Sequence, residues 1–266
     1  MRKNKVKHIL AQGGVAIGTN VFEFGTTGIA RIAMEAGADF VMFDMEHTGW
    51  GIETIRMLMA TSCAIDLVPL VRPPAVQYHL LSRPLDVGAM GLMLPMVETE
   101  EQARLIVHSA KYFPQGGRGA AFGFSHDDYQ EGDIAAKMKS ANEEQLLIAL
   151  IETAKGVENA DKIAAVDGID VLSIGHCDLT SSLGIPGQFT HPKFLDAVRQ
   201  VLKTAQRHGK AAGYTASSVE EGRSLLAQGF RCLAYSGDIS IYRGALNQAI
   251  TALRDTIWAP DPVPTR

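Results

Sequence analysis

The stretch GLMLPMVETEEQARLIVHSAKYF, residues 91–113, contains one complete unit of the pattern that decides the fold. It begins with the short apolar run GLMLP, which is the right length for a buried strand. Thr99 then stands at a helix N-cap position, acids occupy the first turn, and the helical pattern ends near Pro114. A strand followed directly by a helix is the unit from which parallel sheets are built.

The same alternation extends in both directions from this stretch. Two further helix candidates are TGIARIAMEAG from Thr27 and SVEEGRSLLAQG from Ser218, where Glu221 can complete a capping box and Gly229 can end the helix. The other predicted strands are VAIGT from Val15, FVMFD from Phe40, LVPLVR from Leu67, LLIALIE from Leu146, IDVLSIG from Ile169, AAGYT from Ala211 and RCLAYS from Arg231.

About eight near-continuously apolar strands, each followed by a helix or a helix-sized gap, predict a single (β/α)8 TIM barrel. A doubly wound open sheet is the alternative, but no G-x-G-x-x-G follows the first strand, which argues against a dinucleotide-binding fold. We expect the barrel domain over residues 1–258 and an extended Pro-rich tail, APDPVPTR, over residues 259–266. The polar stretch AAFGFSHDDYQEGD, residues 120–133, is interpreted as a loop insertion.

Composition limits the classes of partner. The chain has 266 residues, 46% of them hydrophobic, and a net charge of −4, which gives no sign of binding to nucleic acid or an anionic membrane. No apolar run reaches the roughly 18 residues that a membrane span needs. The three cysteines, Cys63, Cys177 and Cys232, are scattered, which predicts reduced thiols and a cytoplasmic protein.

Polar and ionisable residues follow many of the apolar runs, and in a (β/α)8 barrel these strand ends meet at the active-site mouth. Solvent exposure of ordinary strand ends is the alternative explanation. The candidates are Asp44, Glu46 and His47 after the second strand, Arg72 after the third, Glu152 after the fifth, Gly175, His176, Cys177 and Asp178 after the sixth, Tyr214 and Thr215 at the seventh, and Ser236, Gly237 and Asp238 at the eighth.

Glu152 and Asp178 come from adjacent predicted strands, so their carboxylates can converge. Two close carboxylates repel each other, and oxygen ligands of this kind favour Mg²⁺ or Mn²⁺. A pair of solvated acids is the alternative. Arg72, fixed by the two prolines that follow it, can hold a substrate oxygen, or it can form a salt bridge with Asp44 or Glu46.

Several motifs in one order resemble the HpcH/HpaI aldolases, the metal-dependent class II pyruvate aldolases. The resemblance extends from about Ile17 to Tyr242. Its motifs are FDMEHTGWG, VRPP, LDVGAMGLMLPMVETEEQA, YFPQGGRG, LIETAKGVEN and DVLSIGHCDLTSSLGIPGQFTHP.

The resemblance implies a (β/α)8 barrel, commonly a hexamer, whose final helix is exchanged between neighbouring subunits. It implies cleavage and formation of 4-hydroxy-2-oxo acids through a pyruvate enolate, with pyruvate and an aldehyde as the small-molecule partners. The implied cofactor is a divalent cation, Mg²⁺ or Mn²⁺ first, then Co²⁺ or Zn²⁺.

Carried over by motif, the resemblance also implies a role for each site residue. Arg72 holds the keto oxygen, His47 pairs with Asp86 in a proton-transfer dyad, and Asp44 borders the pocket. The metal ligands are Glu152 and Asp178, and the backbone of residues 175–178 receives the pyruvate carboxylate. A Schiff-base route would need an interior lysine, and Lys155 is a poor candidate because it falls on the following helix.

The chain departs from the family pattern at a few positions near the site. Leu150 replaces a Gln, and His176 and Cys177 replace Pro and Ala. Tyr214 and Thr215 replace aliphatic residues. These departures affect substrate choice, so the aldehyde stays open.

Two other functions remain as alternatives. One is a CoA-thioester lyase of the citramalyl or malyl type, which would need a basic surface near the barrel mouth, where Arg118 is an isolated candidate. The other is a repurposed barrel that binds a keto acid.

Overall fold

A computed structural model of the protein describes residues 1–258. Eight parallel strands, hydrogen-bonded in chain order, close into a barrel in which the last strand pairs with the first. This confirms the predicted (β/α)8 fold and all eight predicted strands, and closure excludes the open sheet. The strands are β1 (Ala16–Val21), β2 (Phe40–Asp44), β3 (Val68–Arg72), β4 (Gly91–Leu94), β5 (Leu146–Ile151), β6 (Val171–Ile174), β7 (Ala211–Ala216) and β8 (Cys232–Gly237).

Helices surround this barrel, and one helix precedes it. Within the described residues they are α1 (Lys5–Ala11), α2 (Ile29–Glu35), α3 (Ile52–Ser62), α4 (Tyr78–Asp86), α5 (Glu100–Ala110), α6 (Ile134–Glu144), α7 (Ala154–Glu158), α8 (Ala160–Ala164), α9 (His176–Ser182), α10 (Pro192–Arg207), α11 (Val219–Gln228) and α12 (Asp238–Trp258). None of these helices combines the length and the apolar character that crossing a membrane requires.

The predicted helix caps are present, with one difference in detail. Thr99 accepts a hydrogen bond from the backbone of Gln102, whose side chain returns one to the N-cap, so α5 begins with a complete capping box. Ser218 caps α11 in the same way, but the Glu221 carboxylate bonds to Ser217 instead of to the N-cap backbone. The second capping box is therefore only half formed.

The insertion after Arg118 contains a helix that was not predicted. Residues 120–133 form a loop with one short 3-10 turn, as expected, but α6 then fills most of the remaining gap before β5. In α6 only Ala141 and Asn142 are buried, so the sequence has little apolar periodicity to reveal it.

The core has an inner and an outer layer. The inner layer fills the barrel with strand side chains such as Phe40, Leu70 and Ile148, and Val6 of α1 closes its lower end. The outer layer packs the other faces of the strands against the helices. Because both faces of most strands are covered, the barrel can open a cavity only at its ends.

The last helix, α12, contacts β1 and β8 near its start, while apolar residues along it stay exposed, including Ile241, Leu246 and Ile250. Exchange of this helix between subunits and a hexameric assembly stay predictions. The predicted Pro-rich tail, residues 259–266, lies outside the described residues.

Candidate active site

A cavity of about 240 Å³ opens at the C-terminal ends of the strands. It brings together most of the side chains predicted from strand ends, which come from separate parts of the chain. The predicted residues that line it are Asp44, His47, Arg72, Glu152, Gly175, His176, Cys177, Asp178 and Thr215.

Asp44 and Arg72 form the most buried ion pair of the cavity wall. The two residues are register partners on β2 and β3, which places Arg72 Nε 2.5 Å from Asp44 Oδ1. Arg72 Nη1 also lies 3.3 Å from Glu46 Oε2. Asp44 accepts the backbone N–H groups of Glu46 and His47, which folds the chain after β2 into a tight turn. The salt bridge considered for Arg72 is present, and the guanidinium still faces the cavity.

Glu152 lies at the end of β5 with its carboxylate held in a fixed orientation. Its Oε1 accepts the backbone N–H of Met96 at 2.7 Å, and Met96 has a left-handed φ of +54° that directs this group towards it. A Cβ on Gly175 would collide with Glu152 Oε2, so only glycine permits the close approach of β6 to this carboxylate.

The charge balance around Glu152 fits a bound cation. Burial raises the pKa of Glu152 to about 7, and the carboxylates of Glu46 and Asp178 push this pKa in the same direction. Burial also raises the pKa of Glu46, whose Oε2 is buried and makes no hydrogen bond. A divalent cation beside Glu152 and Asp178 would relieve this repulsion.

The predicted metal ligands, Glu152 and Asp178, are both oxygen donors, and two carboxylates alone do not fill the coordination shell of a metal ion. Within residues 1–258, no group of three or more His, Cys, Asp or Glu side chains forms a complete metal cluster. Two carboxylates with non-protein oxygen ligands fit a hard divalent ion. No lysine is among the residues described as lining the cavity, and Lys155 instead pairs with Glu98 at 3.1 Å.

The structure does not bring His47 and Asp86 together within one chain. Asp86 is the last residue of α4, which carries the chain about 12 Å away from Tyr78 at the start of that helix. Its Oδ1 pairs with Arg118 Nη2, whereas His47 Nε2 lies 3.6 Å from Glu46 Oε2. The His47–Asp86 dyad is not formed here, so a catalytic role for Asp86 stays a prediction.

Arg118 is also unsuited to the CoA alternative. Its side chain is buried against Asp86 and over the ring of Tyr112, so it cannot present a charge to a phosphate at the barrel mouth.

Two family departures, His176 and Tyr214, form an aromatic wall at β6 and β7. Their rings stack with centroids 5.3 Å apart, and Phe189 meets His176 edge-on at the same separation. Burial lowers the pKa of His176, which keeps the imidazole neutral at neutral pH. Tyr214 lies behind His176, while Cys177 and Leu150 line the cavity directly.

Polar residues at the end of β8 and the start of α12 shape the backbone at the mouth of the barrel. Asp238 accepts the backbone N–H groups of Phe22, Glu23 and Phe24, which tie the loop after β1 to the start of α12. Ser236 has a left-handed φ of +50°, which lies next to a register shift between β1 and β8.

Asn20 is the polar cavity residue that sequence reasoning missed. It lies on β1 and is buried, and it lines the cavity opposite the predicted metal ligands. The first strand was predicted to end at Thr19, two residues too early. The sequence did contain a signal for Asn20. Side chains alternate between the two faces of a strand, so Asn20 lies on the same inward face as Ala16 and Gly18.

Comparisons with known proteins agree with this geometry. The family model HpcH/HpaI aldolase/citrate lyase matches residues 25–244. A 2-keto-3-deoxy-L-rhamnonate aldolase from Klebsiella pneumoniae is 32% identical over 87% of this chain and 86% of its own length. A 5-keto-4-deoxy-D-glucarate aldolase from Escherichia coli K12 is 33% identical over 91% of this chain and 93% of its own length.

A solved structure has the same fold over almost its full length. The crystal structure of an HpcH/HpaI aldolase from Desulfitobacterium hafniense DCB-2 superposes with a TM-score of 0.90 at 31% identity, covering 97% of this chain and 98% of that chain.

Proposed function

Because the chain belongs to the HpcH/HpaI aldolase/citrate lyase family, we propose that it is a divalent-metal-dependent aldolase that cleaves and forms 4-hydroxy-2-oxo acids. It is then a carbon–carbon lyase that releases pyruvate and an aldehyde. The observation that carries this proposal is the convergence of Arg72, His47, Glu152 and Asp178 on one cavity.

The reaction needs an electron sink at the keto oxygen of the substrate. In cleavage the bond between C3 and C4 breaks, its electron pair forms the pyruvate enolate, and the C4 hydroxyl loses its proton as the aldehyde forms. Arg72, oriented by Asp44, holds a fixed positive charge where negative charge develops on that oxygen. Glu152 and Asp178 would hold a divalent cation, which would supply Lewis acidity to the substrate; their oxygen ligands favour Mg²⁺ or Mn²⁺, with Co²⁺ or Zn²⁺ as further candidates.

Proton transfer falls to His47 in this proposal. Its imidazole lines the cavity and is open to solvent, which suits a group that takes a proton from the C4 hydroxyl and returns one to C3. The pyruvate carboxylate is assigned to the backbone N–H groups at the start of α9, after Gly175, because the first turn of a helix leaves these groups without intrahelical partners.

The half-reaction on pyruvate tests the proposal without knowledge of the aldehyde. The protein, stripped of metal with EDTA, is incubated with pyruvate in deuterated water, and each divalent cation is added back separately. Exchange of the methyl protons that requires both protein and cation is the expected result. Glu152→Ala should abolish exchange, while Glu98→Ala, which removes an acid that does not line the cavity, should retain it.

Absence of exchange with every divalent cation would contradict the enolate mechanism. Borohydride added with pyruvate should leave no adduct on the protein, because the cavity lining described above contains no lysine. A lysine adduct would favour a Schiff-base route instead.

A further inference from the structure

The loop between β4 and α5, residues 95–99, holds the carboxylate of Glu152 through its backbone. The N–H of Met96 donates to Glu152 Oε1 at 2.7 Å, and the next N–H, that of Val97, donates to the carbonyl of Leu150 at 3.2 Å. Two consecutive N–H groups of the loop are therefore directed at the end of β5. The Met96 side chain takes no part in this contact and is 46% exposed.

This contact decides which oxygen of Glu152 is left for a cation. Oε1 faces the Met96 N–H, while Oε2 faces Gly175, where a Cβ would collide with it. Gly175 directly precedes α9, which carries Asp178, so Oε2 is the oxygen on the side of the second predicted ligand. A carboxylate whose other oxygen is hydrogen-bonded in this way has a fixed orientation towards a metal ion.

The conformation that presents the Met96 N–H is unfavourable by itself. Met96 has a φ of +54°, in the left-handed region that a residue with a side chain rarely adopts. Such a conformation costs free energy and persists only where the surrounding structure imposes it. Contacts from outside residue 96 must therefore hold the loop in place.

Gln102 of α5 makes these contacts. Its Oε1 accepts the backbone N–H groups of Glu98 and Thr99, at 2.7 and 3.1 Å, and its Nε2 donates to the carbonyl of Met96 at 3.4 Å. Because two N–H groups face the amide oxygen, the amide nitrogen must be the atom that meets the carbonyl. A capping box requires only the bond to the N-cap residue, Thr99, so the contacts with Glu98 and Met96 go beyond starting the helix.

We propose that Gln102 is a positioning residue for metal binding: it holds the loop so that the Met96 N–H fixes Glu152, which binds the cation through Oε2 alone. The inference rests on the proposed metal site and adds a residue that does not line the cavity. Asn159 Nδ2 also anchors the loop, by donating to the carbonyl of Glu98 at 2.9 Å, so replacing Gln102 should loosen the Met96 end without releasing the whole loop.

The test measures Mn²⁺ affinity, which needs neither an aldehyde nor turnover. Metal-free protein is titrated with Mn²⁺, and the free ion is followed by its electron paramagnetic resonance signal. Gln102→Leu, of similar size but without polar atoms, should raise the Kd by about tenfold or more, as replacement of residues that orient metal ligands does. Gln102→Glu keeps an acceptor for Glu98 and Thr99 but loses the donor to Met96, so its Kd should lie between those of wild type and Gln102→Leu.

Two control variants separate positioning from general stability. Met96→Ala removes an exposed side chain but keeps the N–H that bonds to Glu152, so it should bind Mn²⁺ with wild-type affinity. Gln200→Leu removes a comparable bond on α10, from Nε2 to the carbonyl of Val157, and should also leave the affinity unchanged. A crystal structure of the Mn²⁺-loaded wild-type enzyme should show Oε2 of Glu152 on the metal and Oε1 on the Met96 N–H.

Three results overturn this inference alone: wild-type affinity in Gln102→Leu, an equal loss of affinity in either control variant, or coordination of Mn²⁺ by both oxygens of Glu152. Exchange of pyruvate protons is recorded in parallel for the wild-type enzyme. Mn²⁺ binding without exchange contradicts the aldolase proposal and leaves this inference standing. No binding of Mn²⁺ by the wild-type enzyme overturns both.

Discussion

Arg118 and Asp86 form an ion pair, 2.5 Å between Nη2 and Oδ1, in which the two side chains differ greatly in exposure: 1% for Arg118 and 43% for Asp86. Removing Asp86 leaves a buried cation without its partner, whereas removing Arg118 leaves a carboxylate that water can solvate. We therefore expect Asp86→Asn to lower the free energy of unfolding by about 3 kcal/mol and Arg118→Met to lower it by less. Urea denaturation of both variants measures the difference. A larger loss for Arg118→Met would show that its contact with the Tyr112 ring outweighs the charge effect.

The ion pair between Asp44 and Arg72 should matter for the enolate step. Asp44→Asn removes the charge that orients Arg72 but keeps the size of the side chain. A displacement of about 1 Å at a catalytic group can cost about 100-fold in rate, so we expect pyruvate proton exchange to fall by about 10-fold to 100-fold. Asp39→Asn is the control. It makes the same chemical change at the start of β2, at the end of the strand away from the cavity, and should leave the exchange rate unchanged. If Asp44→Asn exchanges pyruvate protons at the wild-type rate, the enolate step does not require Asp44 to orient Arg72.

Metal affinity should depend on pH through Glu152. In the metal-free protein burial raises the pKa of this carboxyl to about 7, so it carries a proton below that pH, and a cation must displace the proton to bind. Affinity is then greatest above pH 7 and falls by about tenfold between pH 8 and pH 6. Calorimetric titration with Mn²⁺ in two buffers of different ionisation enthalpy measures both the affinity and the proton released. An affinity that is the same at pH 6 and pH 8 would exclude Glu152 as the titrating ligand.

Lys111 should make stability depend on pH at the other end of the barrel. Burial lowers the pKa of its ammonium group to about 7, while its Nζ donates to the backbone carbonyls of Asn142 and Gln145. Between about pH 7 and pH 10, the unfolded chain binds a proton at Lys111 that the folded chain does not bind. Stability from this group therefore increases as the pH rises through that range, by up to about 1.4 kcal/mol per pH unit.

Lys111→Met should flatten this pH dependence, whatever its effect on absolute stability from the two lost hydrogen bonds. Lys139→Met, an exposed lysine on α6, is the control and should leave the slope unchanged. The measurement is the free energy of unfolding in urea at pH 7, 8 and 9. Parallel slopes for Lys111→Met and wild type would contradict the lowered pKa.

The sequence predicted the barrel because strand runs and helix caps are local signals. Thr99 and the apolar run before it specify a strand and a helix start within a few residues, and the structure shows both. Residues that directly follow strands, such as Arg72 and Glu152, could likewise be placed at one end of the barrel from chain order alone.

The parts that sequence reasoning missed depend on contacts between distant segments. The Asn20 amide is oriented by Ser236, more than two hundred residues away, through a bulge that has no local signature. The orientation of Glu152 depends on the backbone of Met96, and the separation of Asp86 from His47 depends on the direction of α4. Only the closed three-dimensional arrangement determines these relationships.

The cavity is divided between two sets of strands, and this division has an evolutionary consequence. The groups assigned to pyruvate and metal come from β2, β3, β5 and β6, whereas Asn20 and Thr215 come from β1 and β7. Single substitutions on β1 and β7 can therefore change the shape and polarity of that side of the cavity, while selection keeps the groups assigned to bond breaking unchanged. The same separation makes these two strands the rational place to diversify in a library aimed at new carbon–carbon bond-forming catalysts.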